Sequence, residues 1–178
     1  MGRSRFKIKE DHFPYFITLS VVDGISLFDD PILSEIVLDS LKYMREKSGV
    51  KIYAFVLMHN HLHLVVEGDD LSGDIRKMKS FTARKMIDLL IERNRTLLLG
   101  KLRYLKHDHH KDSEYQVWQE GFHPKQISTP EMMTQKIDYI HYNPVKAGFV
   151  DVPEHWRSSS ARNYLGLEGV IEVDVFTG

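Results

Sequence analysis

Two apolar runs divided by a very short polar interruption constrain this chain more than any other feature. Ile52-Tyr-Ala-Phe-Val-Leu-Met58 reads as a buried strand and His61-Leu-His-Leu-Val-Val66 as a second. Met58-His59-Asn60 supplies the tight reversal between them, Asn being tolerant of left-handed backbone. Strands joined by such a reversal are antiparallel. An earlier run, Phe13-Pro-Tyr-Phe-Ile-Thr-Leu-Ser-Val-Val22, is dominated by aromatic and β-branched residues and closes on Asp23-Gly24, so it predicts another strand.

Residues 31–47 have Pro31 after Asp29-Asp30, helical spacing of Ile32, Leu33, Ile36, Val37, Leu41 and Met44, and Gly49 just past the end. They predict a helix. Residues 71–99 predict another, with Ile75, Met78, Phe81, Met86, Leu89 and Leu90 as its core candidates. Residues 101–114 read as an exposed connection and 117–127 as a short strand. Ser128-Thr-Pro-Glu131 opens a helix expected to stop near Tyr142, because Pro144 biases Asn143 away from helical geometry. Residues 170–176 alternate like a strand. The order β-α-β-β-α-β-α predicts an α+β fold, a mainly antiparallel sheet with packed helices. Residues 1–178 are read as one domain, with a less regular tail over about 165–178.

The chain lacks cysteine, which excludes a disulfide scaffold, a thiolate zinc site and cysteine nucleophile chemistry. No run approaches the ~18 apolar residues of a membrane span. The basic start leads into no apolar signal core, so a cytoplasmic protein without a membrane partner is expected. Formal net charge is −1, but it is unevenly distributed. Residues 76–106 hold ten basic residues against two acidic ones, a local charge of +8, whereas residues 149–178 hold five acids against two bases. Such separation fits a positive surface for phosphates on a neutral molecule, and equally fits a solvated helix face.

On a strand, His61 and His63 leave the same face, while Leu62, Leu64 and Val66 point into the opposite one. Two imidazoles on one rigid face can hold a divalent ion once another element brings a third ligand. Hydrogen-bonded histidines at a sheet edge would carry the same pattern. In Lys136-Ile-Asp-Tyr-Ile-His-Tyr-Asn-Pro144, helical spacing puts Tyr139 and Asn143 on one side, a turn apart. Met133, Ile137 and Ile140 lie about 100–160° around the axis from Tyr139. Tyr139 is therefore either a reactive phenol or a packing side chain with its polar tip outward. A phenol beside a metal-held phosphate makes chemical sense as a nucleophile.

Together these segments resemble a known family. Residues 53–66 resemble the metal-binding strand of single-tyrosine transposases of the HUH endonuclease class. Trp118-Gln-Glu-Gly-Phe122 and Asp138-Tyr-Ile-His-Tyr-Asn-Pro-Val-Lys-Ala-Gly148 resemble the REP-associated tyrosine transposases within the IS200-like superfamily. Tyr15-Phe-Ile-Thr18 and His155-Trp-Arg-Ser-Ser159 also fit, so the resemblance spans about residues 13–160. One departure is His59, where the family usually has proline.

The resemblance implies a ferredoxin-like or RRM-like fold, with His61, His63 and Asn143 holding Mg²⁺ or Mn²⁺ and Tyr139 as the catalytic nucleophile. It implies a nickase and strand transferase acting on single-stranded DNA beside a REP-like hairpin, through a 5′-phosphotyrosine, as a monomer or homodimer. Arg76, Lys77, Lys79, Arg84 and Lys85 are the candidate phosphate contacts, and Trp118 the candidate base-stacking ring. His141 and Tyr142 flank the nucleophile. Two rival readings share these residues: a non-catalytic nucleic-acid-binding module, and a zinc hydrolase using His59, His61 and His63.

Overall fold

A computed structural model of the chain describes residue 8 and residues 12–106 and 113–178. Four strands form one antiparallel sheet: β1 (Tyr15–Ser20), β2 (Lys51–Leu57), β3 (His61–Glu67) and β4 (Lys125–Gln126), in the order β2-β3-β1-β4. That order, with helices between β1 and β2 and between β3 and β4, is the ferredoxin-like arrangement. The helices are α1 (Pro31–Ser48), α2 (Leu71–Glu92), α3 (Thr96–Tyr104), α4 (Pro130–Lys146) and the short α5 (Ala161–Tyr164). Capping fixes α1 at both ends. The Asp30 carboxylate accepts from Ile32 N at 3.0 Å, and Gly49 takes the left-handed φ of 70° that ends the helix at little steric cost.

Side-chain alternation divides the core between the two sheet faces. Leu62, Leu64 and Val66 join Ile17 and Leu19 on one face, under Leu33, Val37 and Leu41 of α1 and Ile75, Met78, Met86 and Leu90 of α2. Phe16, Ala54, Val56 and Val65 lie on the other, under Met133, Ile137 and Ile140 of α4. His61 and His63 belong to this second face, opposite Ser20 and Thr18 of β1.

The structure departs from the sequence reading at several elements. The helix expected over 71–99 is two helices, because Asn94 at φ 53° turns the chain between them. Helix α3 takes over the start of the expected connection at 101–114, whose residues 107–112 lie outside the described ones. Phe81, expected in the core, is exposed on α2. The strand expected over 117–127 reduces to a bridge between Val21 and Trp118 and the two-residue β4, with Gly121 at φ 65° turning the chain between them.

Helix α4 runs past Tyr142 to Lys146. Pro144 sits in its last turn, where the missing N–H removes a single bond. The helix end is closed by Ala147 N donating to Asn143 O and Phe149 N donating to Pro144 O, both at 3.0 Å. Residues 170–176 form no strand. Instead Asp174 grips β2: its N–H donates to Ile52 O at 2.8 Å, and its carboxylate accepts from Ile52 N at 3.1 Å and Arg45 Nε at 3.3 Å. Leu57 N also donates to Ser158 O, so residues after α4 cover the free edge of β2 and block edge-to-edge pairing. No helix among the described residues is long and apolar enough to cross a membrane.

Candidate functional site

The site begins with hairpin β2–β3. Asn60 Nδ2 donates to Gly24 O at 3.0 Å, which fixes the amide so that its oxygen accepts from His61 Nδ1 at 2.6 Å. A proton on Nδ1 leaves Nε2 of the neutral ring as the nitrogen with a free lone pair. His63 Nδ1 is hydrogen-bonded to Thr18 Oγ1 at 2.9 Å, and its Nε2 is likewise left over. The two rings meet edge to face with centroids 4.7 Å apart. Burial, then the neighbouring His61, pushes the pKa of His63 down to about 3. His61 is lowered by burial and then by His59. Both rings are thus neutral near pH 7, the form that accepts a cation.

Helix α4 lays Tyr139 against this pair. Its ring lies edge-on to His63 at 5.3 Å and to Phe16 at 5.7 Å, while Phe16 stacks on His63 at 5.4 Å. Tyr139 nonetheless remains 39% exposed, because the apolar side of α4 is the one carrying Met133, Ile137 and Ile140. The Tyr139 ring therefore meets both solvent and the His63 imidazole within one chain. Asn143 is half-buried one turn further along the same helix. Two imidazoles oriented through their Nδ1 partners are donors suited to a divalent ion.

His59 is not part of this set. The turn directs it to Asp29, which it contacts through Nδ1, and its ring meets Phe149 at 4.3 Å and Trp156 at 5.4 Å. Among the described residues, no group of three or more His, Cys, Asp or Glu side chains is placed to hold a metal ion. The three-histidine zinc arrangement is thereby not formed. His141 points into the core, where its Nε2 lies 2.8 Å from Ser160 Oγ, and burial pushes its pKa down to about 4. Tyr142 is exposed.

The basic candidates on α2 do not meet the histidine–tyrosine cluster, since α2 packs on the opposite face of the sheet. Lys77 pairs with Asp74 at 3.4 Å and Asp70 at 4.0 Å. Lys79 is a correction: its Nζ donates to Gln119 O at 2.7 Å and Gly121 O at 2.6 Å, and burial pushes its pKa down to about 8 against the opposing pull of Glu120. It ties the 119–121 loop to α2 instead of presenting a free ammonium. Arg76, Arg84 and Lys85 line an open groove on the outer side of α2 together with Phe81. Trp118 is a second correction. It is only 5% exposed, tilted against Phe28 at 5.5 Å, with Nε1 donating to Thr82 Oγ1 at 2.9 Å, so it offers no face to a base.

Sequence reasoning assigned no role to Lys136 or Lys146. Their ammonium groups stand 6.0 Å and 5.8 Å from the centre of the Tyr139 ring. The signal was present, since positions three before and seven after Tyr139 share its side of a 3.6-residue helix.

No family model matches the chain. The antiparallel sheet with packed helices matches that of a solved structure: a REP-associated tyrosine transposase bound to a REP hairpin aligns with a TM-score of 0.64 and 19% identity, covering 100% of this chain and 94% of that one. In sequence, the chain is 25% identical over 150 residues to a Haemophilus influenzae protein assigned by name to the REP-associated tyrosine transposases, covering 82% of this chain and 78% of the relative. The similarity is therefore to the REP-associated tyrosine transposases, the group whose motifs residues 53–66 and 138–148 resemble.

Proposed function

We propose that this chain is a transposase-type enzyme, a metal-dependent single-stranded DNA nickase and strand transferase acting through Tyr139 at hairpin-associated sites. The observation that carries the reading is the half-exposed Tyr139 ring set edge-on to His63 at 5.3 Å. The hairpin-bound transposase that shares the fold supports a hairpin-bearing DNA as the partner.

Mg²⁺ or Mn²⁺ held by His61, His63 and Asn143 would polarise the scissile phosphate and neutralise the charge that develops on it. The chain's residues account for the remainder. Thr18 and Asn60 hold the imidazoles in orientation, and Phe16 fixes the planes of His63 and Tyr139. The Tyr139 oxygen attacks phosphorus and loses its proton. The P–O3′ bond breaks as the P–O(tyrosine) bond forms, leaving a 5′-phosphotyrosine, and the departing oxygen takes up a proton as a free 3′-hydroxyl. Attack by a 3′-hydroxyl reverses the sequence and joins strands. Tyr139 meets His63 of its own chain, which supports a site that works without a partner subunit's tyrosine.

The test is a denaturation-resistant protein–DNA adduct formed from labelled hairpin-bearing single strands with Mn²⁺. The adduct is expected with the unaltered protein and lost with Tyr139→Phe, with His61→Ala and on adding a chelator. Retention of DNA without cleavage would instead identify a binding module, and cleavage persisting in Tyr139→Phe would identify a hydrolase.

A further inference from the structure

We propose that Lys136 and Lys146 form a phosphate clamp across Tyr139, gripping the DNA backbone on either side of the bond the phenol attacks. The proposal rests on the reading of Tyr139 as the nucleophile and adds to it the residues that position the strand. Lys136 lies one turn before Tyr139 and Lys146 two turns after, yet both bend toward the same ring. Lys136 Nζ also stands 5.1 Å from the centre of the Phe16 ring, so Lys136 spans both aromatic members of the site.

Two features show that these cations are available to a ligand. Neither ammonium pairs with a carboxylate among the described residues, in contrast to Lys51, Lys77, Arg45, Arg93 and Arg103. Asp138 lines the same open groove as Lys136, Tyr139, Tyr142 and Lys146, but forms no ion pair with either lysine. In addition, two like charges drawn over one ring repel each other, and the ring quadrupole offsets this only in part. An anion seated between them relieves the repulsion. A phosphodiester entering the groove to meet Tyr139 is such an anion, and the exposed groove admits a strand without unfolding any element.

The experiment compares the unaltered protein with Lys136→Met, Lys146→Met and the matching Arg variants. Affinity for a labelled single strand is measured across a salt series, and adduct formation with Mn²⁺ is measured across DNA concentration. Removing one charged contact to phosphate is expected to raise the half-saturating DNA concentration about ten-fold. It should also lower the salt slope of log affinity by about 0.7 per lysine. Arg at either position should restore most of both, which a purely structural role for the methylene stem would not require. Met variants with unaltered half-saturation and an unaltered slope would overturn the clamp. The binding series needs no chemistry, so it decides the clamp even where the unaltered protein forms no adduct, an outcome that would count against the nucleophile reading alone.

Discussion

Replacing Trp118 separates two roles that a tryptophan in this position could play. Its indole is almost wholly buried, packed on Phe28, and hydrogen-bonded through Nε1 to Thr82 Oγ1. Truncation to Ala removes that packing and leaves a cavity, at a cost of about 3–5 kcal/mol. Trp118→Phe is more informative. It removes one hydrogen bond, worth about 1 kcal/mol, and leaves Thr82 Oγ1 still donating to Met78 O at 2.8 Å, so no buried donor is stranded. The smaller ring opens a modest void, and the total comes to about 2 kcal/mol. With a urea slope of about 2 kcal/mol/M, the unfolding midpoint should fall by about 1 M at unchanged slope. Combining it with Thr82→Val should give a coupling of about 1 kcal/mol in a double-mutant cycle. Affinity for single-stranded DNA, measured at fixed salt below the transition, should stay within a factor of two. A Trp118→Phe protein of unaltered stability that loses most of its DNA affinity would refute the reasoning and return the indole to the DNA surface.

Further outcomes follow from the charged groups. His141 is buried and neutral with its pKa held near 4, whereas in the unfolded chain it titrates near 6.5. The unfolded state then binds the extra proton as pH falls below 6.5, so the stability tied to this group is complete above that pH. It declines by up to about 3 kcal/mol on the way to pH 4. Urea midpoints measured from pH 7 to 4 should fall, and fall less steeply in His141→Gln; equal slopes would place the titration elsewhere. Arg84→Ala combined with Lys85→Ala, on the sheet face away from Tyr139, should weaken DNA binding and flatten its salt dependence while leaving the saturated rate of adduct formation unaltered. An unchanged salt slope would remove α2 from the DNA path.

Much of the frame was legible because it depends on local periodicity. Alternation along residues 61–66 determined which side chains face each half of the core, and helical spacing around Tyr139 identified it as a residue turned away from Ile137 and Ile140. Pro144 misled about the end of α4, since a proline in the last turn disrupts little of the helix before it. Asn94 gave no warning of the α2–α3 break, because a single left-handed residue leaves the apolar pattern on both sides intact. Charge counting could not show which lysines are occupied: Lys79 is held by two carbonyls distant in sequence, and Lys77 by two nearby carboxylates. Trp118 is of the same kind, since only the folded chain reveals Thr82 beneath its indole nitrogen. The acidic tail acquired its role only with Asp174 docked on the edge of β2.

The central claim concerns a bond between one named oxygen and DNA. Peptide mass spectrometry of the trapped complex, after nuclease trimming, reads that bond directly. Residues 137–146 contain both Tyr139 and Tyr142, and fragmentation between them distinguishes the two. The account predicts a deoxynucleotide joined through its 5′-phosphate to Tyr139, with Tyr142 unmodified. A nucleotide carried by Tyr142, or an unmodified Tyr139 in a preparation that has cut its DNA, would contradict it.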